Sequence, residues 1–315
     1  MTREGVDVSH RRRALLVAAL AVLACLVALV AYGSWEAGRL RLVRRDIYLP
    51  NLPEVFDGLR VVHVSDIHTR RFGRLERRLR AILETTDADL LVATGDFKAH
   101  VSTNPKPVLE SLKKIFDGLD YPWGKVAVAG NHDDPVFYDA LGRSGLFDCL
   151  VRNSITLEWR GQRLVLLGVA TQRPTDGGRG AHEIDEATWV GNVVTRPAPW
   201  GLLPDDRATP SRVCDLANAG KVFRILLAHT PDFIRDARAD GIELVLAGDT
   251  HGGQIRLPFN ATLLLKRPLV RQHPYGLYRE GPTQMYVTSG VGTLYLPLRF
   301  LCPPEVALVV LHRGK

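Results

Sequence analysis

The chain has 315 residues, of which 46% are hydrophobic and 24% are charged, and its formal net charge is +7 at pH 7. This composition provides enough apolar side chains for a buried core, so it excludes a protein that is disordered over most of its length. The positive charge favours anionic partners such as phosphorylated substrates and acidic lipid headgroups. The lack of tandem zinc-finger spacing and of a long lysine run argues against nucleic acid.

A long apolar run lies close to the N-terminus, directly after three arginines at positions 11–13. The run covers residues 14–32, and crossing the hydrocarbon core of a bilayer takes about 20 helical residues. A secretory signal has a shorter apolar region, typically about 7 to 15 residues. We therefore predict an uncleaved membrane anchor, with cleavage of a signal peptide before Ser34 as the alternative.

The anchor divides the chain into a membrane-linked part and a globular part. Arginines on the two sides of the apolar run nearly balance under the positive-inside rule, and the segment "HRRRALL" weakly resembles a twin-arginine export signal. We accordingly predict a single-pass protein of the cell membrane with an extracytoplasmic domain. The predicted segments are a basic tail over 1–13, a transmembrane helix over 14–33, a linker over 34–45 and the globular domain over 46–315.

Beyond this linker, short apolar runs alternate with helical patterns. The runs "LRVVHV", "DLLVAT", "KVAVA", "FRILLA" and "ELVLA" are typical of strands buried on both faces of a sheet. The segments "RLERRLRAILETT" and "PDFIRDARAD" have helical spacing. In open α/β sheets, ligands bind beyond the carboxyl ends of the strands. The sequence therefore predicts an α/β fold with a pocket at that edge.

Each of the five apolar runs ends at a cluster of polar residues. The clusters are Asp66-Ile67-His68, Gly95-Asp96, Gly130-Asn131-His132-Asp133, His229 and Gly248-Asp249-Thr250-His251. Any one of them alone is explained by a turn or a helix cap, but together they supply carboxylate, amide and imidazole donors at one sheet edge. No CxxC motif is present, and we expect the cysteines to be buried free thiols. This donor set suits Mn, Fe, Zn or Mg.

The order of these clusters resembles the calcineurin-like metallophosphoesterases over nearly everything after about Val43. This resemblance implies a four-layer α/β/β/α sandwich, preceded here by the N-terminal helix, with a site for two metal ions at the carboxyl ends of the strands. The closing segment "YVTSGVGTLYLPLRFLCPPEVALVVL" resembles the tail of a membrane-linked bacterial branch of phosphodiesterases.

The resemblance also implies a role for each candidate residue. Asp66, His68 and His251 would hold one metal ion, Asp96 would bridge, and Asn131 and His229 would hold the second. His132 would protonate the leaving oxygen or stabilise the charge that develops there, and Asp133 would orient that motif. Two divalent cations, with Mn favoured, are the implied cofactors.

Two residues depart from the family pattern. Asp249 stands where the family has a histidine that completes the second metal site. Its carboxylate either keeps the ion with a harder ligand, which favours Mn or Mg over Zn, or fails to reach it. Ala99 stands where an acidic residue is common, between Lys98 and His100.

Two functions follow from this resemblance. The first is hydrolysis of a phosphodiester or pyrophosphate by a hydroxide held between the metal ions, on a phosphorylated small molecule or a lipid-linked substrate such as UDP-2,3-diacylglucosamine. The second is a noncatalytic, membrane-anchored binding or scaffold protein with a degenerate second metal site. An intact His132 favours the enzyme, because a scaffold has no use for a group that protonates a leaving oxygen.

Overall fold

The computed structural model of the chain describes residues 3–151, 153–169, 194–196, 222–256 and 272–314. The helices are α1 (Arg3–Ala37), α2 (Arg74–Thr85), α3 (Pro105–Phe116), α4 (Pro135–Arg143) and α5 (Ile234–Ala239). The strands are β1 (Arg41–Leu49), β2 (Arg60–Val64), β3 (Leu90–Ala93), β4 (Lys125–Val128), β5 (Asp148–Leu150), β6 (Asn153–Trp159), β7 (Gln162–Val169), β8 (Val194–Arg196), β9 (Phe223–Ala228), β10 (Leu244–Ala247), β11 (Gly276–Glu280), β12 (Thr283–Val287) and β13 (Glu305–Arg313).

The strands form two mixed sheets. The first has the order β1-β13-β2-β3-β4-β5, and the second has the order β11-β12-β10-β9-β7-β6-β8. Strands β2 to β5 run parallel to one another, as do β7, β9, β10 and β12. The carboxyl ends of β2, β3 and β4 therefore share one edge of the first sheet, and those of β9 and β10 share one edge of the second.

Apolar side chains pack in three layers between these elements. Val92 of the first sheet and Leu227 of the second belong to the cluster between the two sheets. Leu79 and Phe137 join helices α2 and α4 to the outer face of the first sheet, and Ile234 joins α5 to the outer face of the second. The order is thus helices, sheet, sheet, helix, and the predicted four-layer α/β/β/α sandwich is confirmed.

The five apolar runs that sequence reasoning assigned to strands are β2, β3, β4, β9 and β10. Their near-complete burial agrees with strands covered on both faces. Among the cysteines, Cys302 is buried, Cys149 is half-buried and Cys25 is exposed, and all three are free thiols. Cys214 lies outside the described residues.

Helix α1 carries the apolar run, and within residues 12–37 an 18-residue stretch has a mean hydropathy of 3.0 and no buried residue. By length and composition this helix is able to cross a membrane. Around the predicted transmembrane segment over 14–33, the helix extends from Arg3 to Ala37, and β1 begins at Arg41. Distant contacts hold this part of the chain: Cys302 N donates to Glu36 Oε2 at 3.2 Å, and β1 pairs in parallel with β13.

A buried carboxylate links the two sheets near the chain's C-terminus. Glu305 of β13 accepts hydrogen bonds from the hydroxyls of Tyr286 on β12 at 2.6 Å and of Thr288 at 2.9 Å. Its second oxygen accepts from the Tyr275 hydroxyl at 2.8 Å. A buried carboxylate is stable only when its lone pairs are satisfied, and here donors from the second sheet satisfy them.

We predict that Glu305→Ala destabilises the domain, because two buried hydroxyls and the half-buried hydroxyl of Tyr275 lose their acceptor. The expected loss is on the order of 3 kcal/mol, measured as a lower thermal unfolding midpoint in detergent. Glu280→Ala is the matched control, since Glu280 pairs only loosely with Arg238, at 3.6 Å on the surface, and should change stability by less than about 0.5 kcal/mol. Equal midpoints for the two variants would contradict the linking role of Glu305.

Candidate metal centre

The loops that follow the strands present their polar side chains from unusual backbone conformations. Asp66, His68, Asp96, Asp249 and His251 all have positive φ, between 48° and 69°. Non-glycine residues rarely adopt this left-handed region, and such residues concentrate at functional sites. Each of these five residues lies within a few positions of the end of β2, β3 or β10. The strand ends thus turn sharply and direct donor atoms to one place.

One group of donor atoms is formed by Asp66, His68 and His251, all of which are buried. The Nε2 atoms of His68 and His251 are 3.0 Å apart. His251 Nε2 also lies 3.5 Å from Asp66 Oδ1. That oxygen is buried and accepts no hydrogen bond. A carboxylate oxygen and two imidazole nitrogens therefore face a common point, as the donors of a metal site do.

Asp96 lies between this group and a second one. Its Oδ2 atom is 3.5 Å from His68 Nε2 and 3.4 Å from His229 Nε2. His229 Nε2 also lies 3.0 Å from Asn131 Oδ1 and 3.6 Å from Asp249 Oδ1. The carboxylate of Asp96 consequently faces donors from both sheets and lies between the two groups.

Backbone carbonyls fix the orientation of two of the imidazoles. His68 Nδ1 donates to Lys98 O at 3.0 Å, and His229 Nδ1 donates to Thr94 O at 2.7 Å. A carbonyl oxygen can only accept, so each Nδ1 carries a proton, and a neutral ring then presents its lone pair at Nε2. Burial alone would lower the pKa of His229, but nearby carboxylates, chiefly that of Asp96, raise it well above its ordinary value, so a cation bound there would displace the Nε2 proton. Histidines that bind metal ions are usually held in this way. The residues present therefore fit a metal centre.

Burial and mutual charge alter the ionisation of the cluster. Burial, together with the nearby carboxylates of Asp96 and Asp249, raises the pKa of Asp66 to about 7. Burial alone would also raise the pKa of Asp96, but the imidazoles of His229 and His68 lower it below its ordinary range. Burial lowers the pKa of His68 to about 4, which keeps that ring neutral. Divalent cations beside these groups would compensate the crowded negative charge.

His132 and Asp133 lie in the loop between β4 and α4. The backbone N–H of His132 donates to Asp96 Oδ1 at 2.8 Å, and its Nδ1 lies 3.2 Å from Ala99 O. Its ring reaches His68 and Asp96 closely enough to be counted with them as a possible ligand group. Asp133 instead accepts from the backbone N–H groups of Lys98, at 3.1 Å, and of Gly130, at 3.0 Å. These contacts are those of a residue that positions two loops against each other.

Glycines allow the loops to approach so closely. A Cβ atom at Gly130 would overlap the carboxylate of Asp96, and one at Gly248 would overlap the side chains of Ser65 and Asp66. The neighbouring atoms belong to the candidate ligands Asp66 and Asp96 and to Ser65, all of which are buried. Both glycines are thus required by the packing of the site.

The structure brings all of the predicted metal ligands together, namely Asp66, His68, Asp96, Asn131, His229, Asp249 and His251. Sequence reasoning missed Arg299, which is fully buried. Its guanidinium Nη2 lies 3.4 Å from His251 Nδ1 and donates to Gly290 O at 3.1 Å. The only signal for it was one charged residue inside the apolar run "TLYLPLRFL".

Lys98 also has a supporting position. Its buried ammonium donates to Val101 O at 2.6 Å and pairs with Asp134. Its own carbonyl holds His68, and the next carbonyl along, that of Ala99, faces His132. The side chain therefore fixes the loop in which the family's usual acidic residue is replaced by Ala99.

Comparison with known proteins agrees with this geometry. The calcineurin-like phosphoesterase family matches residues 59–253. Metallophosphoesterase YkuE of Bacillus subtilis is 31% identical over 264 residues, covering 82% of this chain and 81% of its own. UDP-2,3-diacylglucosamine pyrophosphatase LpxG of Chlamydia trachomatis is 26% identical over 306 residues, covering 87% and 90%. Phosphodiesterase YaeI of Escherichia coli is 34% identical over 259 residues, covering 80% and 82%.

The family match spans more than half of the chain, and the clusters that carried the resemblance converge on one buried group of donors. The protein therefore belongs to the calcineurin-like phosphoesterases and is a metal-dependent hydrolase of phosphoester bonds.

Proposed function

We propose that this protein is a membrane-anchored hydrolase with two metal ions that cleaves a phosphodiester or pyrophosphate bond in a lipid-linked substrate. The observation that carries the proposal is the position of Asp96 Oδ2, 3.5 Å from His68 Nε2 and 3.4 Å from His229 Nε2. One carboxylate facing both donor groups is what a pair of bridged cations requires.

Asp66, His68 and His251 hold the first ion in this proposal, and Asn131, His229 and Asp249 hold the second. Two divalent ions at this place would polarise the phosphoryl group and activate water. The carboxylate of Asp249 supplies an oxygen where the family has an imidazole nitrogen, which favours Mn or Mg over Zn. Because Asp249 Oδ1 lies 3.6 Å from His229 Nε2, the carboxylate remains beside the second donor group, which favours the enzyme over a noncatalytic scaffold.

His132 is proposed to protonate the leaving oxygen. The ring is almost completely buried, and its backbone N–H is tied to Asp96. Its Nδ1 faces the carbonyl of Ala99, which leaves Nε2 as the atom that exchanges a proton. Asp133 positions the loop and does not itself touch the substrate in this proposal.

A lipid-linked substrate is supported by the apolar helix α1 and by the similarity to LpxG, which is named for a pyrophosphatase activity on UDP-2,3-diacylglucosamine. Such a nucleotide-linked lipid is expected at the cytoplasmic face, whereas the orientation predicted from the sequence places the domain outside, and the arginines on the two sides of α1 nearly balance. Reporter fusions at the C-terminus show on which side of the membrane the domain lies. A cytoplasmic domain favours the nucleotide-linked lipid, and an extracytoplasmic domain favours a phosphodiester on the outer face.

We predict that Asp96→Asn keeps the fold but loses most bound metal and nearly all hydrolysis of an aryl phosphodiester. The amide has one oxygen and no charge, so it cannot serve two cations. Metal content by mass spectrometry and the thermal midpoint are measured together. Asp120→Asn, an exposed carboxylate in the loop before β4, is the control and should bind metal normally. Wild-type metal content in Asp96→Asn would contradict the shared-ligand role.

A second prediction separates the role of Asp249 from that of His132. Asp249→Ala should lose metal and activity, whereas Asp249→His should retain metal and shift the preference towards Zn, because it restores a nitrogen donor. His132→Ala should keep both metals and lose about 10²- to 10⁴-fold in rate, with the smallest loss for substrates whose leaving groups are already acidic. Metal stoichiometry and rate are measured over a panel of divalent ions. Unchanged stoichiometry in Asp249→Ala would show that Asp249 is not a ligand.

The anchor gives a third prediction. The full-length polypeptide should remain in the membrane fraction after washes with high salt and alkaline carbonate, because a spanning helix does not depend on screened charge attraction. Sequencing of the mature N-terminus is the accompanying measurement. A released protein that begins near Ser34 would identify α1 as a signal peptide.

A further inference from the structure

We infer that residues 293–301, here called the apolar rim, lie in the membrane interface and hold the metal centre at the bilayer surface, so that the enzyme acts on phosphates of lipids embedded in that bilayer. This inference rests on the proposed function for the anchor and deepens it, because it adds a second surface that contacts lipid.

The apolar rim exposes large side chains to solvent. Tyr295 is 79% exposed, Leu296 49% and Leu301 50%, and the neighbouring helix α1 adds Trp35 at 55%. Scattered single apolar residues on a surface need no explanation, but a continuous group of them indicates a contact surface. Here the group continues directly into the apolar helix.

The carboxyl end of α1 is firmly joined to the rim. Arg299 N donates to Gly33 O at 3.0 Å, and the rings of Tyr32 and Phe300 meet edge to face with centroids 5.3 Å apart. A Cβ atom on Gly33 would lie 3.3 Å from Arg299 O and 3.4 Å from the Leu298 side chain. Glycine at this position therefore allows the helix and the rim to pack backbone against backbone.

The length of the apolar run determines how deep in the bilayer the contact between α1 and the rim lies. Residues 14–32 form about 28 Å of helix at 1.5 Å per residue, close to the roughly 30 Å of a hydrocarbon core. Gly33 then lies at the edge of the core, and the rim packed against it lies at the same level. Trp35 has Arg39 stacked over its ring at 4.3 Å. Aromatic rings are enriched at the membrane–water interface, and the arginines that follow them are attracted to anionic headgroups just outside it.

The same segment is joined to the metal centre. Arg299 contacts α1 through its backbone, and its guanidinium contacts His251 Nδ1 and the carbonyl of Gly290. Gln254, three residues after His251, donates through its amide to the carbonyls of Leu294 at 2.9 Å and Leu296 at 3.0 Å. When the rim lies in the membrane interface, these contacts therefore place the candidate metal ligand His251 next to that interface.

A photo-crosslinking experiment tests this placement without any need for activity. Full-length protein carrying benzoylphenylalanine in place of Tyr295 is reconstituted into vesicles of phosphatidylcholine and phosphatidylglycerol, irradiated and analysed by mass spectrometry. Tyr48 is the matched control position: it is also an exposed tyrosine, at 51%, but it lies at the end of β1, which runs antiparallel in direction to β2 and so ends away from the metal centre. We expect about tenfold more lipid adduct at position 295 than at position 48, because only the former faces lipid continuously.

A kinetic experiment tests the consequence for substrates. Leu296→Glu places a charge in the interface, so the ratio of the rate on a vesicle-embedded phosphodiester to that on a soluble aryl phosphodiester should fall about tenfold. Tyr48→Glu should leave this ratio unchanged. Crosslinks from position 295 to a second copy or to a soluble protein, or lipid adducts equal to those at position 48, would overturn the inference. Failure of the wild type on both esters would instead overturn the proposed function, while the crosslinking result still decides the position of the rim.

Discussion

Two buried carboxylates, Asp66 and Asp96, impose the main constraint on this structure. Negative charges without water are costly unless cations or donors surround them. The chain places His68, His229 and the backbone N–H of His132 against them, and the left-handed turns after β2, β3 and β10 are the result. The glycines at positions 130 and 248 allow that crowding. A domain built only for stability would have no reason to concentrate strain and charge in this way.

The two-sheet architecture follows from the same requirement. The candidate ligands of the two donor groups come from the strand ends of both sheets, so the sheets must face each other at that edge. Here the first sheet supplies Asp66, Asp96 and Asn131, and the second supplies His229 and Asp249. The apolar layer between the sheets keeps their strand ends facing each other. The site is therefore a property of the sandwich as a whole.

Much of this arrangement was predictable from the sequence, and the exceptions have physical reasons. The strands β2 and β10, which end two residues before Asp66 and Asp249, were predicted because burial on both faces leaves a continuous apolar run. Strand β1 was not found, because four of its nine residues are charged and its pairing is decided by β13, far along the chain. The position of Arg299 beside the site was not predicted for a similar reason: no local sequence pattern shows which distant groups a buried guanidinium will contact. Asp133 was predicted to orient its motif, and only the fold shows that its carboxylate accepts from backbone N–H groups of two separate loops.

The position of β13 has a consequence for how the chain is made. This strand is formed by Glu305–Arg313, yet it lies between β1 and β2 inside the first sheet. Both neighbours therefore leave the ribosome long before their partner exists, and each has an unpaired edge in the meantime. Synthesis proceeds at about 5 to 20 residues per second, so the gap lasts for many seconds, with α1 already emerged. The first sheet is thus completed only after β13 has been synthesised, long after β1 and β2.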